Sequence, residues 1–322
     1  MSNQFNNRCF GAVIVKSVNS NWNADFTHSP RTLPDGTIYA TDKALKYAIR
    51  DYIRTNHPDE KVFFFKRLNQ EAKPVTLEEN YNYMFGELNK PDKKEEETAR
   101  KDVIGKLLSC IDIRMFGATF AAKNYNFSIH GSVQVNHAVD RLGEFEVYAE
   151  QIMSPFRNPS EAKAGSDQST LGSQTNLKEG HYVYHFSINP ANLNDLYELL
   201  GDEVNKLSDG DIKKLIDAMN RSVTLLDSSR KIGSENEATI FVKLKEGSKI
   251  VLPSFTDLID IEKNGDSKKR KINLKDLDAQ LESARDEIEE AVIYHNPLLT
   301  EIDGISGNVT YKVLNIVNGK EV

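Results

Sequence analysis

The stretch Cys9–Val18 (CFGAVIVKSV) constrains the fold most. It is rich in β-branched residues and too short for a typical helix, so it reads as a buried strand. After a long break, Leu45, Ala48, Ile49, Tyr52 and Ile53 recur at the i, i+3, i+4, i+7, i+8 spacing of one buried helical face, with Thr41 as the expected N-cap. A strand and an amphipathic helix of this kind must bury their apolar faces against a further layer.

The break, residues 19–40, has two prolines, a Pro-Asp-Gly turn signal and no period, and is read as a long loop. Beyond the helix, Val62–Lys66 reads as a short strand, Tyr81–Leu88 as helical and Lys90–Asp102 as a charged surface insertion. Ile111, Ile113 and Met115 alternate with Asp112, Arg114 and Phe116, which predicts a strand. A second alternation, Phe127 to Val135, predicts another. Met153–Gly180, rich in Ser, Gly, Asn and Gln, reads as an exposed excursion.

His181–Ile188 is expected to be a strand with Tyr182, Tyr184 and Phe186 on one side. Ser208 and Asp211 cap a helix whose Ile212, Leu215, Ile216, Met219 and Val223 face the core. Ala238–Leu244 is a further strand. A basic loop, Lys268–Lys271, precedes a late helix through Leu277, Leu281, Ala284, Ile288 and Val292. This order predicts an α+β fold: an antiparallel sheet with helices on one face, for which a ferredoxin-like, RRM-like core is the natural candidate. The open face of such a sheet is where RNA-recognition domains meet single-stranded RNA.

With 39% hydrophobic and 28% charged residues the chain can pack a core, and no apolar stretch approaches the ~20 residues of a membrane helix, so the cytoplasm is the expected location. Cys9 and Cys110 lack metal-ligand spacing and are expected as buried small hydrophobes. The net charge of −7 requires any phosphate-binding surface to arise by local segregation of charge. Phosphate-cradling, dinucleotide-binding, zinc-protease and nucleophile-elbow signatures are absent from the sequence. His181 and His185 on one strand face stand roughly 13 Å apart, too far to share a metal. In the long loop, Asp25 and Asp35 suit turn chemistry and are alternatively candidates for a divalent ion, with His28 nearby. Arg114–Phe120 (RMFGATF) superficially resembles an RNA-recognition signature but lacks its glycine after the basic residue. Trp22 and Phe26 are candidates for base stacking.

Taken in order, Asn19-Ser20-Asn21, Pro30-Arg31, Gly36, Thr41-Asp42, Ile49-Arg50-Asp51-Tyr52, Asp112-Ile113-Arg114-Met115-Phe116-Gly117-Ala118, Gly131-Ser132-Val133-Gln134 and Asp227-Ser228-Ser229-Arg230 resemble the Cas seven family, the backbone subunits of type I CRISPR Cascade complexes, closest to types I-B and I-C. The resemblance implies a ferredoxin-like palm over residues 1–250, interrupted by the 21–40 loop, a finger-like insertion at 67–106 and a protruding thumb at 153–180. Residues 251–322 are expected as a C-terminal extension packed on the palm. It implies a non-catalytic protein, without cofactor or metal, that binds guide crRNA. Lys16, Arg31, Lys43, Arg50, Arg114, Gln134, Arg230 and Lys231 are the implied guide contacts. The implied partners are the guide, a target DNA strand through it, further copies of the chain, other Cascade subunits and a recruited helicase-nuclease. The first loop reads Asn-Ser-Asn-Trp-Asn-Ala-Asp where relatives carry a glycine. Two alternatives remain: a metal-dependent endoribonuclease using Asp25, and a scaffold that binds no RNA.

Overall fold

The computed structural model describes residues 4–90, 96–153, 171–201 and 204–322. The chain begins with β1 (Cys9–Ser20) and, past the long loop, β2 (Tyr39–Ala40) and α1 (Asp42–Asn56). Then come α2 (Leu77–Phe85), α3 (Glu96–Leu108), α4 (Ile111–Phe116), the hairpin β3 (Ala118–Ala122) and β4 (Tyr125–Ile129), and short strands β5 (Val133–Val135) and β6 (Ala138–Asp140). β7 (Val147–Met153) and β8 (Leu171–Ile188) are followed by α5 (Asn194–Leu200), α6 (Asp209–Arg221) and β9 (Ser234–Leu244). The C-terminal part adds β10 (Asp260–Lys263), β11 (Arg270–Asn273), α7 (Lys275–Glu282), β12 (Ile288–His295), β13 (Thr300–Asp303) and β14 (Lys312–Asn315).

The main sheet runs β14-β12-β9-β1-β8-β6-β2, with β5 and β7 also paired to β8. β1 is its centre, antiparallel to β8 and β9 on either side. Strand alternation sorts its side chains onto two faces. Cys9, Val13 and Val15, with Tyr182, Tyr184 and Phe186, pack on α1 and α6 through Leu45, Ile49, Leu215 and Met219. Phe10, Ala12, Ile14, Val183 and Ile240 face the other way, onto Phe255, Leu274, Leu277 and Leu281. The second sheet face is therefore covered by the C-terminal part, and the open face expected from the sequence is absent among the described residues. A third cluster, around Phe63, Tyr81, Leu107, Ile113 and Phe120, lies under α2, α3 and the β3–β4 hairpin.

Several local expectations are corrected. Ile111–Phe116 is a helix, and Ile111 through Met115 are all buried, charged residues included. The alternation misled because Asp112 and Arg114 face partners inside the protein instead of solvent. Val62–Lys66 forms no strand: the Phe63 and Phe64 N–H groups donate to the Asp112 carboxylate (2.8 and 3.0 Å) instead of to a ladder. The late helix stops at Glu282, and Ile288 and Val292 lie in β12, where Ala291 and Ile293 alternate inward onto β9. Arg270 and Lys271 belong to β11, outside any loop. Thr41 precedes α1, yet its side chain makes no capping bond. The capping box of Ser208 and Asp211 is present as expected. Of the excursion at 153–180, residues 154–170 lie outside the described residues, and β7 pairs with the first half of β8 as a two-stranded ribbon.

Candidate nucleic-acid interface

The loop after β1 is fastened to the sheet by three consecutive side chains. Asn21 Nδ2 donates to the carbonyls of His28 and Thr175 (both 3.2 Å). Trp22 is wholly buried, and its indole N–H donates to Tyr184 Oη (2.7 Å). Asn23 Oδ1 accepts from the Thr41 amide and hydroxyl (2.8 and 3.0 Å), tying the loop to the start of α1. Trp22 is thus a core anchor, and the base-stacking expectation for it is withdrawn; Phe26 stays exposed. Asn19 takes the left-handed conformation (φ 50°), which asparagine tolerates better than most residues.

Against this loop lies the segment before β9. The Asn21 amide donates to Arg230 O (2.9 Å) and the Val18 amide to Gly233 O (2.8 Å). Ser17, Ser20 and Ser234 share a buried hydroxyl triangle (2.6, 3.0 and 3.2 Å). Lys231 donates to the Trp22 carbonyl, and its ammonium sits 4.5 Å from the indole centroid. Burial without a carboxylate pulls its pKa down to about 8. Arg31 Nε is buried without a hydrogen-bond partner. The Arg230 side chain is partly exposed and, among the described residues, holds no ion pair. Lys43 stands beside the loop at the start of α1, 84% exposed, with Asp42 at 3.9 Å. Arg31, Arg230 and Lys231 are therefore brought to one loop from distant parts of the chain, through bonds to Asn23, Asn21 and Trp22. Two of them carry buried polar atoms that lack a charged partner, a state that an incoming anion relieves.

The other predicted contacts are placed elsewhere. Lys16 pairs with Glu235 (3.4 Å) opposite His181 on β1. Gln134 Nε2 donates to Gly131 O (2.9 Å). Arg50 donates to Asp112 (3.0 Å) with its guanidinium 5.0 Å from the Phe116 ring. Arg114 is buried: Nε and Nη2 grip Asp211 (3.0 and 2.8 Å) and Nη1 donates to Leu108 O (2.8 Å). Each of its three side-chain nitrogens is engaged within the protein, so Arg114 holds the fold in this arrangement. The same holds for the neighbouring glycines. A Cβ on Gly117 would lie 2.1 Å from Ile129 O, and one on Gly131 2.1 Å from Gly117 N. The Asp-Ile-Arg-Met-Phe-Gly-Ala and Gly-Ser-Val-Gln motifs thus encode a close-packed joint between helices and sheet.

Asp25 closes a turn. Its Oδ1 accepts from the Thr27 hydroxyl (2.7 Å) and from the Thr27 and Ser29 amides (2.8 and 3.0 Å), and these bonds lower its pKa. Among the described residues no group of three His, Cys, Asp or Glu side chains is arranged to hold a metal ion. Charge is segregated along the chain: residues 251–322 carry fourteen acidic and nine basic side chains, so they hold −5 of the total −7.

Fold and site together define an α+β protein whose sheet supports a loop-borne cluster of under-compensated cations, suited to an extended anion. The family model of CRISPR-associated protein Cas7 matches residues 7–282, and the chain belongs to that family. Its fold is similar to a chain of a solved structure described as "CRISPR RNA-guided surveillance complex, pre-nicking", with a TM-score of 0.52 and 14% identity, covering 92% of this chain and 96% of that one. A chain of another "CRISPR RNA-guided surveillance complex" gives a TM-score of 0.49 at 13% identity, over 92% of this chain and 94% of that one. No curated protein matches the sequence.

Proposed function

We propose that this chain is a non-catalytic, guide-crRNA-binding backbone subunit of a type I CRISPR surveillance complex, of the I-B or I-C kind. The observation that carries the reading is the grouping of Arg31, Arg230 and Lys231, which form no salt bridge among the described residues, in a chain of the Cas7 family. Arginine and lysine bound to phosphates hold a guide of any sequence, and base pairing is left to select the target DNA strand. Lys43 extends the cluster outward; Lys16, Arg50 and Gln134 would join it only by exchanging the partners described above.

The β9-β1-β8-β6 order with α1 and α6 on one face supports a ferredoxin-like palm within residues 1–250, with residues 67–106 as fingers and the 153–180 excursion as thumb. Residues 251–322 would be the extension on the palm. The β7–β8 ribbon exposes Val147, Ile152 and Met153, which suits it to meet the next copy head to tail along the guide. Other Cascade subunits would cap the ends, and a helicase-nuclease would be recruited to the target. No described helix is long and apolar enough to cross a membrane, in keeping with a cytoplasmic site of action. The engagement of Asp25 in its turn supports a role without catalysis.

The test is RNA binding across salt concentration with several unrelated guide-length sequences. Affinity is expected to fall linearly on logarithmic axes, and Arg31→Ala and Arg230→Ala to weaken every sequence about equally. Absence of binding at low salt, or a loss confined to one sequence, contradicts the reading.

A further inference from the structure

The loop after β1 presents one large residue that neither the core nor the cation cluster uses. Its first turn is closed by a bridge between Ala24 and Pro30, and the Asp25 amide donates to Ser29 O (2.8 Å). At the tip stands Phe26, 97% exposed and outside all three apolar clusters. A single exposed apolar side chain is ordinary on a protein surface. This one is distinguished by its mount. Trp22 is buried just before the turn, Asn21 Nδ2 donates to His28 O (3.2 Å), and His28 itself takes the left-handed conformation (φ 69°), which few residues adopt without cost. The ring is thus carried by a closed, fastened turn.

Arg31 supplies the second observation. It leaves the same turn with its amide bonded to Asn23 O (3.4 Å), and the Asn23 amide oxygen in turn holds Thr41. Three residues separate Asn23 from Phe26, so the backbone that carries the ring is at most about 10 Å from the residue to which Arg31 is tied. The acidic group at the tip is Asp25, whose Oδ1 takes three bonds inside the turn. Its charge opposes a phosphate at the tip but not the face of an uncharged base. Phosphates therefore suit the Arg31 side of the turn, and a base suits the phenyl ring.

We propose that Phe26 stacks on one base of the strand whose phosphates Arg31 and Arg230 hold. The inference rests on the guide reading and adds to it a contact that is independent of charge. A phenyl ring reads no base edge, and every base has a π-face, so the contact accepts a guide of any sequence. A pocket on a second protein chain would also cover the ring. The strand is favoured because the ring shares its turn with a cation that forms no salt bridge among the described residues.

The experiment titrates the full chain with single-stranded RNA dodecamers over a range of salt. Phe26→Ala is expected to weaken binding about tenfold with the salt slope unchanged, and Phe26→Trp to retain it, whereas Arg31→Ala reduces the slope by about one. Inorganic polyphosphate has the charge but no bases, and is expected to bind the wild type and Phe26→Ala equally. Irradiating the wild-type complex with RNA that carries 5-iodouridine is expected to cross-link the peptide containing Phe26. Because Phe26 is exposed, neither substitution threatens folding. Unchanged RNA affinity in Phe26→Ala, or an equal loss towards polyphosphate, overturns the proposal. Loss of self-association with RNA affinity intact also overturns it and assigns the ring to a partner copy. Failure of the guide reading looks different: the wild type itself then binds no RNA at low salt, and this proposal falls with it.

Discussion

Arg114 and Arg230 are the same residue type, both expected from the sequence to grip the guide, and the fold uses them in opposite ways. Around Arg114, Arg50 and Asp112 the joint between helices and sheet pairs its cations with buried carboxylates. Around Arg31, Arg230 and Lys231 no salt bridge forms among the described residues, and Asp25 acts on Arg31 only through its field. A paired buried cation stabilises the native state through the penalty that follows its removal. An unpaired one is a standing cost that a ligand anion offsets. Whether a salt bridge holds the cation is therefore the feature by which structural and ligand-facing cations are expected to differ.

The largest expected effect falls on the paired side. Arg114→Ala strands Asp211 and is expected to destabilise the protein by about 3–5 kcal/mol in denaturant unfolding. A loss under 1 kcal/mol would mean that the joint does not depend on that pair.

Next come two titrations of opposite sign. His181 is buried between Glu237 (2.5 Å) and Glu179 (3.1 Å), and Glu179 is gripped by Arg270 (2.7 and 2.6 Å). Burial alone would lower the His181 pKa, but the carboxylates outweigh it and raise it to about 9. The stabilisation is then fully present below the unfolded pKa near 6.5 and is lost as pH rises through about 9. His181→Gln is expected to remove a decline of about 1–3 kcal/mol across that window. Lys231 behaves in reverse. Its penalty is fully present below about pH 8 and fades towards 10.5, because the unfolded chain holds the extra proton in that interval. Lys231→Met is expected to be about 2 kcal/mol more stable than the wild type at pH 7, with the difference vanishing by pH 10.5. If both variants shift the pH profile in the same direction, the contrast between paired and unpaired cations fails.

The smallest effect on stability is expected at Arg230. Arg230→Ala is expected to leave unfolding within about 0.5 kcal/mol of wild type, to weaken RNA binding by roughly fivefold and to reduce the salt slope by about one. Destabilisation comparable to that of Arg114→Ala would move Arg230 to the structural class.

Sequence patterning was most legible where each element keeps a single buried face. The Cys9–Val18 strand, the Leu45–Ile53 face and the Ser208–Asp211 box follow from side-chain period and capping chemistry, which act over a few residues. It was least legible where charges are buried. Asp112 and Arg114 mimic the polar half of a strand because nothing local reveals that Arg50, two phenylalanine amides and Asp211 wait for them. The ordered motifs made the family recognisable, yet they did not say which of their residues face a ligand.

The sequence by itself determined the α+β class, the central strand with its helical layer, and the family. Only the tertiary structure decided that the far sheet face is covered by residues from the C-terminal part, that Trp22 is an anchor, and which cations are held in buried salt bridges. The physical reason is range: backbone periodicity is set by neighbours a few positions apart, whereas the free energy of a buried charge depends on what the fold brings beside it.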